Sequence, residues 1–359
     1  MKQDILLGVA STVVPADQTG RSRSPFFMGM AQKANQLGAE FVLFHPDDID
    51  VTQKRLRGYI MHDSSVGQRH GWVKRDVRLP DAIYENVFVH LVMKGMTRPL
   101  RNFAARENVP LFNPILPGKN TMSHIVASLP QCALKVPTTR LVTSVKDIAD
   151  MLAEYETVYV KPTGGYGGRG VLRVSKVGGA VVVDCDRYLE LGKMHRRFVG
   201  NEWEGFLQRI IARRAHIVQE QIPLLQMGGA KVDFRVVAQR NKSGRWVMVG
   251  LVPKVASHNG VVTNLIAGGT RVTVAELRKR IADQIPLQAL EKSAICLSEQ
   301  LSRRYPNLGV IGYDLGADAS GRVWFIEANP KPARRLLFPE LRRQAGDLAV
   351  EFAYYLASR

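Results

Sequence analysis

The first third of the chain alternates between two spacings of apolar residues, one typical of strands and one typical of helices. Residues 5–14 form a β-rich run, and residues 24–38 follow with helical spacing. Ser24 is the expected N-cap, Pro25 the first helical residue and Gly38 the residue that ends the helix. Strands are expected at residues 40–46 and 109–114, and a helix at residues 97–107. Between them, residues 57–63 and 72–87 are expected to form a hairpin-like segment and another strand. This strand–helix–strand order predicts a doubly wound parallel sheet.

Beyond residue 118 the pattern predicts strands and helices in a less regular order. Residues 144–155 form a helix pattern with Ser144 as the expected N-cap and Asp147 in the first turn. Other helices are expected at residues 119–129, 273–282, 286–304 and 338–356. Strands are expected at residues 137–142, 157–160, 171–176, 181–185, 216–225, 231–240 and 245–257. The basic segment 186–214 is predicted to be helical and to serve as a lid.

The length of 359 residues is too great for one ordinary hydrophobic core. We expect an N-terminal α/β domain over residues 1–117, a central subdomain over 118–215 and a C-terminal subdomain over 216–359. Hydrophobic content of 45% and charged content of 23% are typical of a soluble globular protein. No apolar run is long enough for a membrane span, and the first apolar stretch is too short for a signal peptide. These features predict a cytoplasmic protein without a membrane partner.

The three cysteines, Cys132, Cys185 and Cys296, are far apart and odd in number. This pattern indicates neither a disulfide framework nor a CxxC metal site. It is consistent with the reducing cytoplasm.

The net charge of +18 is unevenly distributed. Residues 1–117 carry a net charge of +4 and the remainder carries +14, with concentrations at residues 187–214, 271–280 and 331–343. A polyanionic partner such as nucleic acid, an acidic polymer or an anionic surface is one interpretation. The alternative is a solvated surface with several arginines that bind phosphates and a carboxylate substrate. No signature of a nucleic-acid-binding module is present.

The strongest chemical signal lies in two short strands joined by a turn near residue 320. Asp314 lies near the end of the first strand, and Glu327 and Asn329 lie two residues apart on the second, so both point to one face. Pairing of the strands would bring the three oxygen-bearing side chains together. Hard oxygen ligands of this kind favour Mg²⁺ beside substrate phosphates, which indicates a magnesium–nucleotide site. The alternative is that Asp314 caps a turn and Glu327 is a solvated strand residue.

A glycine-rich loop, residues 162–170, follows Lys161 and lies between two β-rich runs. Rossmann and Walker loops require a helix next, so this context argues against both. Glycines such as Gly165, Gly167 and Gly168 allow the backbone N–H groups to fold over phosphates as a flap. Lys161 could reach a phosphate oxygen as a point charge. The alternative is a surface hairpin.

The strand that begins at His216 turns polar at its end. Its last backbone groups could bind an adenine edge, with Ile222 packed on the ring and Glu220 accepting from the amino group or the ribose. Many strands end in Glu, so an ordinary strand end is the alternative.

The next two strands and the loop after them carry further candidates. Asp233 and Arg235 share one face, and Arg235 is suited to recognition of a carboxylate or phosphate. A surface ion pair between Asp233 and Arg235 is the alternative. Lys254 ends the following strand. Asn264 could contact phosphate or metal, and Gly268–Gly269 could supply oxyanion-type N–H donors, unless this loop is a plain connection.

Taken in order, these segments resemble the ATP-grasp superfamily over residues 119–332. The amino-terminal residues 26–49, 58–60 and 79–84, together with Trp72, resemble the YheC/YheD family, whose members are described as endospore coat-associated. The resemblance implies an ATP-grasp fold with ATP and Mg²⁺ as cofactors. It implies ATP-phosphate contacts from Lys119 and Lys161, adenine contacts from Glu220, Gln221 and Ile222, ribose or acyl-phosphate contacts from Asp233 and Arg235, and Mg²⁺ contacts from Asp314, Glu327 and Asn329.

The activity implied by the resemblance is ATP-dependent ligation of a carboxylate to an amine or thiol through an acyl phosphate. Arg235, Lys254, Asn264 and Gly269 are the expected catalytic residues. Expected substrates are small-molecule or peptide carboxylates and amines, and the superfamily suggests a homodimer. Two alternatives stay open: a non-catalytic ATP-binding protein of the spore coat, and a ligase for an RNA- or polymer-linked acceptor.

Overall fold

The computed structural model of the protein describes residues 5–15, 24–62, 71–164, 167–187, 192–281 and 285–359. Within these stretches the strands form three sheets, each packed against helices. No helix in the described part combines the length and the apolar character that a bilayer crossing needs.

The first sheet is formed by the residues in which strand and helix patterns alternate. Its strands are β1 (Leu6–Ala10), β2 (Glu40–Phe44), β3 (Ile49–Asp50), β4 (Arg55–His62), β5 (Gly71–Val77), β6 (Ala82–Glu85) and β7 (Leu111–Phe112). Its helices are α1 (Pro25–Gln36), α2 (Val89–Met93) and α3 (Arg98–Arg106). The strand order is β3-β4-β2-β1-β6-β7, with β5 paired to β4. Strands β2, β1, β6 and β7 run parallel, which confirms the predicted parallel sheet, and β4 and β5 form an antiparallel hairpin.

Helix α1 has the predicted limits, but its start lacks one expected contact. Pro25 is the first helical residue, and Ser24 is the N-cap without a side-chain capping hydrogen bond. Gly38 follows the last turn with a φ of +72°, a conformation that glycine adopts without strain. Proline and glycine therefore fix the two ends of this helix.

The second sheet is antiparallel throughout. Its strands are β8 (Thr139–Val142), β9 (Thr157–Pro162), β10 (Leu172–Val177), β11 (Ala180–Cys185), β12 (Met194–Val199) and β13 (His216–Glu220). Helices α4 (Lys119–Ala127), α5 (Val145–Tyr155) and α6 (Glu202–Ile211) belong to the same part of the chain. The order is β12-β11-β10-β9-β13-β8. Val158 and Val160 pack under α5 and α6, so the alternating residues Tyr159 and Lys161 lie on the opposite face.

The prediction of one basic helix over residues 186–214 was wrong. The described part of this segment contains strand β12, which pairs with β11, followed by the shorter helix α6. Gly192 and Gly200 flank β12 with φ values of +76° and +63°. Positive φ values at these two glycines form turns, which interrupt a continuous helix.

The third sheet carries the strands that the sequence marked as chemical. Its strands are β14 (Gln226–Met227), β15 (Ala230–Arg240), β16 (Trp246–Val255), β17 (Thr270–Arg271), β18 (Val310–Ala317) and β19 (Val323–Asn329). Its helices are α7 (Val274–Arg278), α8 (Leu287–Arg304) and α9 (Pro339–Ala357). The order is β17-β16-β15-β18-β19, with β14 paired to β15. Apolar residues of α8 cover one face. On the other face Val237 and Val252 pack against α9, and charged side chains occupy the part that α9 does not cover.

Helix α9 packs against the first sheet, although it comes last in the chain. Val350 and Phe352 share a core with Leu7 of β1 and Phe27 of α1. Helix α3 covers the other face of the sheet through Leu100. Both faces of the first sheet are therefore covered, one of them by residues from beyond position 338. The boundaries drawn at residues 117 and 215 stay a prediction.

A disulfide joins Cys132, in the turn after α4, to Cys296 in α8, with the two Sγ atoms 2.17 Å apart. The cysteine pattern, which indicated no disulfide framework, therefore failed to predict this bond. The two cysteines are 164 residues apart, so no local spacing could indicate their pairing. Cys185 is a buried free thiol in the second sheet.

Replacing Cys132 with serine is expected to lower the free energy of unfolding by about 2–4 kcal/mol, because the bond closes a long loop in the unfolded chain. Urea unfolding followed by tryptophan fluorescence measures the change. Thiol titration of the denatured protein is the control, with one reactive thiol expected before reduction and three after it. Three thiols without reductant would contradict the bond.

Candidate active site

Strand β15 carries two charged residues on the face of the third sheet that points away from α8. Val232, Phe234 and Val236 pack in the core formed with α8. Asp233 and Arg235, which alternate with them, point to the opposite face, as the sequence predicted. Both residues are buried.

Four charged side chains on this face form one buried cluster. Arg235 binds Asp314 with two parallel hydrogen bonds, from Nε to Oδ1 at 2.7 Å and from Nη2 to Oδ2 at 3.0 Å. Lys254 Nζ lies 3.0 Å from Asp233 Oδ1 and 3.0 Å from Asp314 Oδ1. Thr263 Oγ1 donates to Asp233 Oδ2 at 2.5 Å. The alternative of a surface pair between Asp233 and Arg235 does not hold, since each of them has another charged partner in the buried cluster.

The two carboxylates of the cluster differ in their affinity for protons. Burial alone would raise the pKa of Asp314, but the charges and hydrogen bonds of Arg235 and Lys254 hold that pKa well below its usual range. Burial raises the pKa of Asp233, against the charge of Lys254 and together with the charge of Asp314. The pKa of Lys254 is raised despite its burial, because both carboxylates face it. Arg235 and Lys254 are therefore fixed cations at this position.

Glu327 and Asn329 lie beside this cluster on strand β19. A bulge lets Glu327 pair with Asp314 and Asn329 pair with Gly312, and bulges of this kind redirect side chains near functional sites. Glu327 is half-buried, and its Oε2 lies 3.5 Å from Lys119 Nζ. Strands β18 and β19 therefore bring together the three residues that the sequence proposed as magnesium ligands.

The donor chemistry of this set fits Mg²⁺. Glu327 and Asn329 offer hard oxygens, and both are partly exposed. The Oδ2 atom of Asp314 accepts one hydrogen bond from Arg235, which leaves a lone pair on that oxygen. No group of three or more His, Cys, Asp or Glu side chains in the described stretches could hold a metal ion, so any ion here needs the Asn329 amide and substrate oxygens. The assignment stays a prediction.

Two lysines approach Glu327 from other elements. Lys119 is the first residue of α4, and Lys161 lies near the end of β9, where its Nζ donates to Gln219 Oε1. Burial and the neighbouring charge of Lys119 lower the pKa of Lys161 to about 8. Two ammonium groups close together in a partly buried site are suited to an anion with several oxygens.

The glycine loop after Lys161 is described in part. Gly165 lies outside the described residues, while Gly167 and Gly168 have φ values of +71° and +70°. A Cβ atom on Gly168 would come within 2.9 Å of the Val262 side chain. Glycine at this position thus permits close contact between the loop and residues 261–264.

The loop that contains Asn264 and Gly269 is held by its own hydrogen bonds. Asn264 Oδ1 accepts from Ile266 N at 3.0 Å, and Gly269 N donates to Asn264 O at 3.0 Å. A Cβ atom on Gly269 would lie 2.2 Å from Thr263 O, so only glycine fits. Asn264 and Gly269 lie beside Thr263 of the cluster, but the Asn264 Oδ1 acceptor and the Gly269 N–H donor both serve the turn in this conformation. Their catalytic role stays a prediction.

The predicted adenine residues lie where the second sheet leads into the third. Glu220 Oε1 accepts a hydrogen bond from Thr138 N at 3.0 Å, so this carboxylate ties the end of β13 to the residue before β8. Gln221 is exposed and Ile222 is buried next to Gly316. These three residues lie at and just after the end of β13, and their contact with adenine stays a prediction.

Sequence reasoning missed three residues that support the site. Asp186 Oδ2 accepts from Val261 N at 2.8 Å and Val262 N at 2.9 Å, which ties the loop to β11. Thr263 donates a hydrogen bond to Asp233, and Gln219 accepts one from Lys161. Alternation along β13 could have placed Gln219 on the face of the sheet that carries Lys161. No local pattern distinguishes Asp186 or Thr263.

The sequence of the chain is similar to one protein family and to two of its relatives. A family model described as YheC/D-like ATP-grasp matches residues 108–356. The endospore coat-associated protein YheD of Bacillus subtilis (strain 168) is 24% identical over 369 residues, covering 99% of this chain and 79% of that protein. The endospore coat-associated protein YheC of the same strain is 22% identical, covering 92% and 91%.

Solved structures agree on the fold. A RiPP-associated ATP-grasp ligase of Chryseobacterium gregarium has a TM-score of 0.53 at 11% identity, covering 97% of this chain and 96% of that one. D-alanyl-alanine synthetase A of Vibrio cholerae has a TM-score of 0.52 at 9% identity, covering 100% and 98%. The predicted ATP-grasp fold is therefore confirmed. Because the family model covers most of the chain, the protein belongs to the YheC/D-like ATP-grasp family.

Proposed function

We propose that the protein is an ATP- and Mg²⁺-dependent ligase that joins a carboxylate to an amine through an acyl phosphate. The observation that carries this proposal is the buried cluster of Arg235, Lys254, Asp233 and Asp314, beside which Glu327 brings Lys119 and Lys161 close. Buried cations that are held in place by carboxylates can stabilise developing negative charge without reorganising.

The two lysines form the phosphate end of the proposed site. Lys119 and Lys161 would bind phosphate oxygens of ATP, and the glycine loop would cover them from the side of Gly167 and Gly168. Glu327 and Asn329 would hold Mg²⁺, with one lone pair from Asp314. Bound there, Mg²⁺ supplies Lewis-acid neutralisation of charge on the phosphate oxygens.

In this proposal the acyl phosphate forms next to the cluster. A carboxylate oxygen of the substrate attacks the γ-phosphorus, and the bond to the β-phosphate oxygen breaks to release ADP. The amine nitrogen then attacks the acyl carbon, phosphate leaves with the bonding electrons, and the nitrogen loses its proton to phosphate or solvent. Arg235 and Lys254 stabilise the negative oxygens in both steps.

Water must be kept from the acyl phosphate. Gly168 of the glycine loop lies next to Val262 of the segment 261–269. Asp186 fixes that segment by accepting a hydrogen bond from Val261 N. Closure of these two segments over the cluster would exclude solvent. This contact is why we assign them a covering role.

Peptide carboxylates are the first substrate class to test. Two proteins that share this fold were solved with peptides. The ligase from Chryseobacterium gregarium was bound to a leader and core peptide, and the macrocyclase MdnC from Microcystis aeruginosa to the precursor peptide MdnA, with TM-scores of 0.53 and 0.52. The net charge of +14 beyond residue 117 would also favour an acidic peptide. Association with the spore, as in the names of the curated relatives, is part of this proposal.

The proposal is tested by ADP release from purified protein with Mg–ATP and pooled amino acids or short peptides. Hydroxylamine is included because it converts an acyl phosphate into a stable hydroxamate. A hydroxamate that forms with one pool supports the ligase and identifies its carboxylate. ATP binding without ADP release in any pool, including acidic peptides, would contradict it and favour a non-catalytic role.

Raising the pH through about 8 is expected to weaken ATP binding. Burial lowers the pKa of Lys161 to about 8, so this lysine loses its charge above that pH. Phosphate binds the ammonium form, so the Kd for ATP should rise towards about tenfold per pH unit. Titration of ATP between pH 6.5 and 9.5 measures this. The Lys161→Met protein should show a clearly weaker dependence, although Lys231 and Lys331, whose pKa burial also lowers to about 8, still titrate there. A Kd that is flat across this range would contradict phosphate binding by Lys161.

A further inference from the structure

The chain leaves strand β19 after Asn329 and passes directly to the first sheet. The side chain of Lys331, two residues later, is only 7% exposed. Its Nζ donates to Glu85 O at 2.6 Å, to Glu85 Oε2 at 2.9 Å and to Asn113 O at 2.9 Å. All three N–H bonds of one ammonium group are therefore directed at the ends of β6 and β7.

The acceptors of Lys331 are themselves fixed. The Glu85 side chain is fully buried. Its Oε1 accepts a hydrogen bond from Arg101 Nε at 2.7 Å, and its Oε2 accepts one from Arg101 Nη2 at 2.6 Å. Asn113 donates through Nδ2 to Pro330 O at 2.5 Å and accepts at Oδ1 from Val310 N at 2.9 Å. The side chain of Asn113 thus holds the start of β18 and the end of β19 at once.

This arrangement does more than stabilise the fold. A buried charge cluster contributes little to stability compared with apolar side chains of the same shape, because desolvation offsets the attraction. Its hydrogen bonds have fixed directions, however, and they act on the backbone next to Glu327 and Asn329. Outer contacts that orient metal ligands strongly affect metal affinity.

We propose that Lys331 is a positioning residue, which fixes Glu327 and Asn329 for divalent-cation binding by tying the end of β19 to Glu85 and Asn113. The inference rests on the proposed function, since that function places the cation at Glu327 and Asn329. It also means that the first sheet, through β6 and β7, takes part in shaping the metal end of the site.

The test is the affinity of the full-length protein for Mn²⁺ in the presence of ADP, measured from the electron paramagnetic resonance signal of free Mn²⁺. Lys331→Met is expected to raise the Kd for Mn²⁺ by about 10–100-fold. Lys33→Met is the matched control, because Lys33 also joins two elements through a glutamate, Glu351 at 2.8 Å, away from the site. That variant should leave the Kd unchanged.

Urea unfolding separates positioning from folding. A merely structural lysine would lower the unfolding midpoint and leave the Mn²⁺ affinity of the folded protein unchanged, which would overturn the inference. If Lys331→Met does not fold, Lys331→Gln decides, because it keeps an N–H donor without the charge; weaker Mn²⁺ binding supports positioning and unchanged binding overturns it. A wild type that binds Mn²⁺ with ADP but performs no ligation contradicts the ligase alone. A wild type that binds no Mn²⁺ contradicts both.

Discussion

The Asp314→Asn protein is expected to lose about 3–5 kcal/mol of its free energy of unfolding, which is the usual effect of removing one partner from a buried ion pair. Asp314 accepts two hydrogen bonds from Arg235 and lies 3.0 Å from Lys254, and all three side chains are buried. Asparagine would turn an NH₂ group towards these donors, which leaves Arg235 without its counter-charge and Lys254 with Asp233 alone. Urea unfolding followed by tryptophan fluorescence measures the loss.

Two further variants make this result specific. Asp150→Asn removes an exposed pair with Lys146 and should change the free energy by less than about 0.5 kcal/mol. The double variant Arg235→Met/Asp314→Leu should recover part of the loss, because apolar side chains do not need a counter-charge. If the Asp314→Asn protein has the same free energy of unfolding as the Asp150→Asn protein, Asp314 does not hold the cluster together.

The Glu327→Gln protein is expected to release ADP at least about 10³-fold more slowly with a saturating carboxylate substrate. Metal-assisted charge stabilisation contributes several kcal/mol to phosphoryl transfer, and about 4 kcal/mol corresponds to this factor. Glutamine keeps the size of the side chain and removes the negative charge that would bind the ion. A coupled assay for ADP gives the rate.

Stability should not account for this loss of rate. Glu327 is half-buried and has Lys119 as its charged partner at 3.5 Å, so its replacement should leave the unfolding midpoint nearly unchanged. Glu154→Gln, at an exposed pair with Arg140, is the matched control and should keep full activity. Undiminished ADP release from Glu327→Gln would remove this residue from the proposed magnesium site.

Sequence periodicity predicted the elements that carry the site. Alternation along β15 placed Asp233 and Arg235 on one face, and the structure agrees, because Val232, Phe234 and Val236 must enter the core. The partner of Arg235 could not be predicted in the same way. Asp314 is 79 residues away, and its side chain meets Arg235 only through the pairing of β15 with β18.

Other errors have equally specific causes. The strand Met194–Val199 is rich in basic residues, which favour a helix on propensity alone, and its pairing with β11 overrides that preference. Gly192 and Gly200 are the sequence signals that could have limited it. Thr263 and Asp186 contribute single hydrogen-bonding groups from separate loops, so they leave no periodic pattern to read.

The position of α9 has a consequence during synthesis of the protein. The ribosome adds about 5–20 residues per second, so the chain from β7 to α9 takes roughly 10–45 s to emerge. During that time α1 is the helix, among the described residues up to β7, that covers the face around Leu7 and Phe27 on which α9 later packs. Nascent chains that have passed residue 112 but not residue 339 therefore present an apolar surface to chaperones and to one another.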